Sequence, residues 1–171
     1  SCEMSLGKLY YESNRIKEAY RLFSAVDERF PNYTEVDKYL GAIYFKDKNY
    51  YAAVSHLRTY LKAAPGDADS KKKLSDTLSI LAAESYSRRD YQTALCRFLE
   101  AYNLVPQSRN KEEANYRIAG LYDKTGDYNN AAEYLARAAN ISRADWSLQV
   151  EAAKEYGKAG NYAKALDYYS N

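Results

Sequence analysis

Apolar residues along the chain fall at the three- and four-residue steps of a helix. Leu74, Leu78, Leu81 and Ser85 step by four, three and four, a single stripe along one helical face. The stripes themselves repeat. Gly7, Tyr10, Ala19 and Pro31 return 34 positions later as Gly41, Tyr44, Ala53 and Pro65, with Leu6 matched by Leu40 and Phe23 by Leu57. Aligning on the alanine that closes RIKEA (15–19), NYYAA (49–53), DYQTA (90–94), DYNNA (127–131) and NYAKA (161–165) extends the series to five units, at alanine offsets of 34, 41, 37 and 34. A period of this length marks a supersecondary unit stacked on copies of itself.

Each unit reads as two helices. A small residue on each, Gly7 with Ala19 and Gly41 with Ala53, lets two backbones cross closely while large residues fill the flanks. Pro31, Pro65 and Pro106 end second helices, because proline cannot donate the bond that continuation requires. Asn14, Asp47 to Asn49, Gly126-Asp127 and Gly160-Asn161 supply the turns inside the units. Asp67 or Asp69 caps the first helix of the third unit, and Asn110 with Glu113 makes a capping box at the start of the fourth. The seven extra residues of the 41-residue step (41 − 34) keep the stripe in register and lengthen that helix by about two turns. An all-α chain follows, one array of repeats over about 1–33, 34–67, 68–108, 109–145 and 146–171, with the second and third connections lengthened. The last unit is incomplete. No polar capping helix follows Ala165, Leu166 and Tyr169, so the chain is expected to be a fragment of a longer array, or to have its C-terminal edge covered by a partner or a second copy.

These residues resemble the tetratricopeptide-repeat (TPR) family: a small residue early in the first helix, a Tyr three later, then Ala, a large apolar residue and a terminal Pro. The third unit has Ala82, Ala94, Phe98, Ala101 and Pro106; the fourth Ala119, Tyr122, Ala131, Leu135 and Ala138; the fifth Ala153, Tyr156 and Ala165. Two positions depart from the pattern, since Trp146 falls three residues early and Arg143 replaces the fourth proline. The resemblance implies an α/α superhelical solenoid of about five helix-turn-helix repeats whose first helices line an inner groove. Carried over position by position, it nominates Lys8, Tyr11, Lys38, Tyr39, Phe45, Lys46, Tyr86, Tyr116, Arg117, Lys124, Lys154 and Lys158 as groove residues. Ala42, Ala83 and Gly120 leave room beside the aromatic ones, which suits an extended peptide or a helix. Each tyrosine has an alternative role, packing against neighbouring helices with its hydroxyl in water. Family members that clamp the carboxylate of chaperone tails use Lys, Asn and Arg where this chain has Met4, Lys8, Tyr39, Asp76 and Ile80. Asp76 would repel that ligand, so it is not expected here.

Composition narrows the chemistry. Leu, Ile, Val and Phe number only 30 of 171 residues, while 25 Ala and 20 Tyr carry most of the buriable area. Twenty-five Lys and Arg against 23 Asp and Glu give +2, no overall drive toward nucleic acid or anionic lipid. The basic runs Lys71 to Lys73 and Arg88-Arg89 read as solvated helix faces, with Asp67, Asp69 and Asp76 around the lysines, so an RNA reader is the weaker alternative. No apolar run approaches a membrane span, and SCEMSLGK lacks the core of a leader, so a soluble chain is expected. Cys2 and Cys96, 94 residues apart, suit neither a disulfide framework nor a metal site; Cys96 reads as a small packing residue. His56 is the only histidine, in mid-helix beside Leu57, and reads as a half-exposed helix residue rather than a catalytic base. There is no phosphate-cradling glycine loop, and no cofactor or metal is expected. The expected function is a non-catalytic scaffold that holds a peptide or helix of an acidic partner protein at about micromolar affinity. Self-assembly into a homo-oligomer is the alternative. The style of the repeats is bacterial, compatible with the cytoplasm or the periplasm.

Overall fold

The computed structural model describes residues 2–105, 111–142 and 146–170, and these form ten helices in five consecutive pairs: α1 (Cys2–Glu12) with α2 (Ile16–Arg29), α3 (Glu35–Lys46) with α4 (Tyr50–Ala63), α5 (Ala68–Ser87) with α6 (Tyr91–Leu104), α7 (Lys111–Thr125) with α8 (Tyr128–Ile141), and α9 (Trp146–Lys158) with α10 (Tyr162–Ser170). There is no strand among the described residues. The chain divides into two compact units, residues 1–78 and 79–171.

All five pairs turn in the same way. Asn14, Lys48, Arg89, Gly126 and Gly160 each adopt positive φ, between 58° and 82°. The residue after each donates its amide back five positions, as from Asn49 to Tyr44 O (2.9 Å) and Asp127 to Tyr122 O (2.9 Å), which satisfies a carbonyl at the end of the first helix. That same residue then caps the second helix. Asn49, Asp90, Asp127 and Asn161 each accept the amide three residues on with Oδ1, at 3.4, 3.1, 3.2 and 3.4 Å. The Asx-Tyr pairs are therefore caps followed by the first helical residue. Arg15, at the equivalent place, makes no cap and pairs instead with Glu18.

In the first unit the glycines make room for large side chains of the second helices. A Cβ on Gly7 would lie 2.7 Å from Phe23 Cε1, and one on Gly41 2.7 Å from Leu57 Cγ. Phe23, Val26, Val36, Leu40 and Ile43 form the core there, with Tyr39 and Tyr44 against it. In the second unit alanine takes over: Ala119, Ala136, Ala138, Ala139 and Ala152 pack with Leu135 and Leu148, and tyrosines fill the flanks. Tyr122 stacks on Tyr134 with ring centroids 5.5 Å apart, and Tyr156 lies 5.5 Å from Tyr168.

Of the two caps proposed for α5, the bonds are to Asp67, whose Oδ1 accepts from the Asp69 and Ser70 amides at 3.1 and 3.2 Å. α5 runs 20 residues against 12 in α3, the expected two-turn extension. Helices α2 and α4 stop at Arg29 and Ala63, two residues before Pro31 and Pro65, as expected for residues that proline drives toward extended backbone. Pro106, Arg143 and the Asn110 side of the capping box lie outside the described residues.

Non-glycine residues hold a left-handed turn only at a cost. Arg89→Gly is expected to raise stability by about 0.5–1 kcal/mol, and Gly126→Ala to lower it by about 1 kcal/mol. Urea denaturation of the two variants with unchanged slope checks both signs.

Candidate partner-binding face

The first helices carry every nominated residue, and the two units treat them differently. In the first unit they are engaged with one another. Lys8 Nζ lies 2.6 Å from Glu35 Oε1, and Tyr33 donates to Glu35 Oε2 at 2.5 Å. Lys8 and then Tyr33 hold the Glu35 carboxyl below its ordinary range. Tyr39 stacks on Phe23 at 4.8 Å, Tyr11 meets Tyr39 edge-on at 5.5 Å, and Lys46 covers the Tyr11 ring at 5.0 Å. Burial raises the Tyr11 hydroxyl. Phe45 leans on Tyr50, and Ala42 is buried, so the room foreseen beside them is filled.

Lys38 reaches Asp67 Oδ2 at 2.6 Å and covers the Tyr60 ring, whose hydroxyl donates to the same carboxylate at 2.9 Å. Burial pushes the Asp67 carboxyl up, but Lys38, the Ser70 amide and Tyr60 outweigh it and bring it to about 2.

In the second unit Tyr116 is open and Tyr86 partly so, its ring meeting Tyr91 edge-on at 5.4 Å. Tyr86 is 46% and Tyr116 47% exposed, and with Ala83, Phe98, Arg117, Gly120 and Leu121 they line a hollow of about 310 Å³. A Cβ on Gly120 would meet nothing within 4 Å. Arg117 pairs with Glu113 at 2.6 Å, both side chains more than half exposed. Lys158 bridges Asp123 of α7 (2.8 Å) and Glu155 (2.6 Å), and Asp123 followed by Glu155 raises its pKa. That bridge ties α9 to α7. Lys124 and Lys154 are exposed, with no carboxylate in ion-pair range among the described residues. A second hollow, of about 570 Å³, lies between α9 and α10 and is lined by Ala153, Lys154, Gly157, Lys158, Tyr162, Ala165, Leu166 and Tyr169.

Elsewhere the structure departs from the sequence reading. Cys96 is exposed, not packed, because it sits on the solvent side of α6 between the buried Leu95 and the half-buried Arg97. His56 is more enclosed than expected. Its Nδ1 lies 2.6 Å from Oδ1 of the buried Asp37, and its ring stacks on Tyr44 at 5.3 Å, so it ties α4 to α3. Sequence reasoning missed that pair, whose partners are 19 residues apart on different helices. Among the described residues no helix is long and apolar enough to cross a membrane.

Residues 112–145, which hold most of α7 and all of α8, match the family model of the tetratricopeptide repeat. No curated protein matches the sequence. Among solved structures the fold is similar to that of MamA AMB-1, with a TM-score of 0.52 and 18% identity over 98% of this chain and 86% of that one. It is also similar to YrrB, described as a TPR protein with an unusual peptide-binding site, with a TM-score of 0.51 and 17% identity over 97% of this chain and 80% of that one. At such identities the likeness is one of fold. The expected all-α solenoid of TPR-like hairpins is borne out.

Asp67 gives the first unit a defined acid sensitivity. Its pKa falls from 3.8 to about 2 on folding, so its stabilisation is present above about pH 4 and lost as pH falls toward 2. Asp67→Asn keeps the cap geometry but removes the charge. It should cost about 1–2 kcal/mol at pH 7, and the gap to the unaltered chain should close between about pH 4 and pH 2 in chemical denaturation.

Proposed function

From a chain whose fourth helix pair is a tetratricopeptide repeat, we propose a non-catalytic scaffold that binds a peptide or helix of a partner protein on the first-helix face, chiefly in the second unit. The tetratricopeptide repeat is in general a protein-interaction fold without catalysis. One observation carries the finer reading: Tyr116, and Tyr86 with one edge on Tyr91, stand half exposed around an open apolar hollow, whereas Tyr39 of the first unit is stacked on Phe23 and covered by Tyr11. Rigid aromatic rings beside open space are what a docking segment uses as anchors. YrrB's peptide site is that protein's own property and supports the reading only by analogy of fold.

The charge of the face favours an acidic partner. Of the nominated cations, Lys8, Lys38 and Lys158 are already paired with carboxylates of neighbouring helices, and Lys124 and Lys154 are left to meet a ligand. Tyr86→Ala with Tyr116→Ala is expected to lower capture of partner proteins from a lysate of the source organism at least tenfold, with helicity by circular dichroism unchanged. Tyr39→Ala serves as the comparison. Capture that survives the double change would move the site off this face.

Self-assembly is the second reading, favoured by two exposed apolar edges. Leu6 and Leu9 of α1 are exposed where their counterparts 34 positions on, Leu40 and Ile43, are buried, and Tyr162, Leu166 and Tyr169 stand exposed on α10. An α1 edge of one copy seated on the α9–α10 hollow of another would cover both, a head-to-tail contact. A sedimentation mass that rises with concentration, and that Leu166→Glu returns to a single chain, is the expected result for this reading.

A further inference from the structure

The floor of the second-unit hollow is a glycine that nothing inside the described chain requires. Gly120 sits in the interior of α7, where glycine weakens a helix relative to alanine. Its φ is not in the left-handed region that only glycine tolerates well. Close approach of a neighbouring helix accounts for Gly7 and Gly41, where an added Cβ would lie 2.7 Å from Phe23 or Leu57. At Gly120 the same added atom meets nothing within 4 Å. The space above it is bounded by Tyr86, Tyr116 and Phe98 and measures about 310 Å³, the lower end of the range of ligand pockets and suited to a single large side chain.

The rim has a sign. Arg117 lies about one turn before Gly120 and Lys124 one turn after it, about 4.5 Å and about 6 Å along the axis. Lys154, the counterpart of Gly120 on α9 34 positions on, lines the neighbouring hollow, and the Lys158–Asp123 bridge holds α9 beside α7. The carboxylates on this face include Glu113, held by Arg117, Asp123 and Glu155, which share Lys158, and Glu151. Lys124 and Lys154 remain without an ion-pair partner among the described residues. The Arg117–Glu113 pair, exposed on both sides, is weak enough to be exchanged for a partner's carboxylate.

We infer that the hollow is a specificity pocket: it takes one bulky apolar side chain, Phe, Trp or Leu, from an acidic segment of the partner protein, whose carboxylates on either side meet Lys124 and Lys154. The inference rests on the peptide-binding reading above and adds the chemistry of the ligand. The apolar anchor supplies affinity by leaving water, and the flanking charges set register and exclude basic segments.

The test is selection of a random dodecamer display library on the full chain at low salt, followed by fluorescence polarisation with the enriched peptides. Enriched sequences are expected to share one bulky apolar residue with Asp or Glu within four positions. Their binding should fall at least tenfold in Gly120→Leu, which fills the hollow from α7. It should fall roughly three- to tenfold, with a shallower salt dependence, in Lys124→Ala with Lys154→Ala. Gly120→Ala should melt at the same temperature as the unaltered chain or a few degrees above it, because alanine is the better helix former. Ala83→Leu plugs the same hollow from α5 and replaces Gly120→Leu if that variant loses helicity. Enriched peptides that are basic, or that bind the plugged variants as tightly as the unaltered chain, overturn the pocket while leaving peptide binding in place. A library that yields no enrichment overturns the peptide-binding reading itself, and the pocket with it.

Discussion

Within each helix pair the structure depends on how closely the second helix, with its side chains, can approach the first. Gly7 opposite Phe23 and Gly41 opposite Leu57 leave no room for a single added carbon. Ala82 and Ala119 occupy the places of these glycines in later pairs, both essentially without solvent contact. Close approach gives the hairpin a narrow waist and leaves wide flanks above and below it. A core built on leucine and isoleucine would overfill the waist, whereas one built on alanine alone would leave the flanks empty. The combination of 25 alanines with 20 tyrosines answers both demands at once. A tyrosine ring spans a flank and still sets its hydroxyl in water or on another hydroxyl, as Tyr20 and Tyr44 do at 3.1 Å.

That division of labour made most of the fold legible from the sequence. The alanine offsets recur unchanged in the left-handed turn residues, Asn14, Lys48, Arg89, Gly126 and Gly160, because turn and crossing belong to one rigid unit. Gly126 and Gly160 announce themselves by residue type. Arg89 does not, since arginine has no preference for positive φ, and Arg88-Arg89, read from the sequence as a helix face, form the third turn. The third pair departs from the others in its packing as well. Ser85 stands where Tyr44 and Tyr122 stand in neighbouring pairs, and the Arg97 guanidinium crosses from α6 to reach Ser85 Oγ at 2.5 Å and Leu81 O at 3.0 Å. No periodicity in the sequence signals such an exchange of an aromatic ring for a hydrogen-bonded cation.

The candidate face was legible by position but not by state. Register alone put Lys8, Tyr39, Tyr86 and Tyr116 on first helices, and they lie there. Which of them are occupied depends on side chains roughly one repeat away: Glu35 for Lys8, Asp67 for Lys38, Asp123 for Lys158. Each such bridge joins the first helix of one pair to the next, so the lysines brace successive pairs before they can serve any ligand. A lysine that reaches across a repeat interface and one that reaches into solvent have the same local sequence pattern. Only the position of the carboxylate opposite tells them apart.

The contrast between the two units follows from the same packing rule. In the first, the helix pairs bring Phe23 beneath Tyr39, so the ring that could have faced a ligand is drawn down onto the core and Tyr11 closes over it. In the second, Ala83 and Gly120 hold the register position of the buried Ala42 but are exposed, and nothing packs over Gly120. Tyr116 and Tyr86, the latter edge-on to Tyr91, border the gap that remains. Small residues at the crossing pull helices together. One step further round the helix, on the face turned away from the partner helix, they do the reverse and leave space. The chain thus uses one chemical class, glycine and alanine, both to close its own interior and to hold part of its surface open, and the difference lies only in the angle at which each residue leaves its helix.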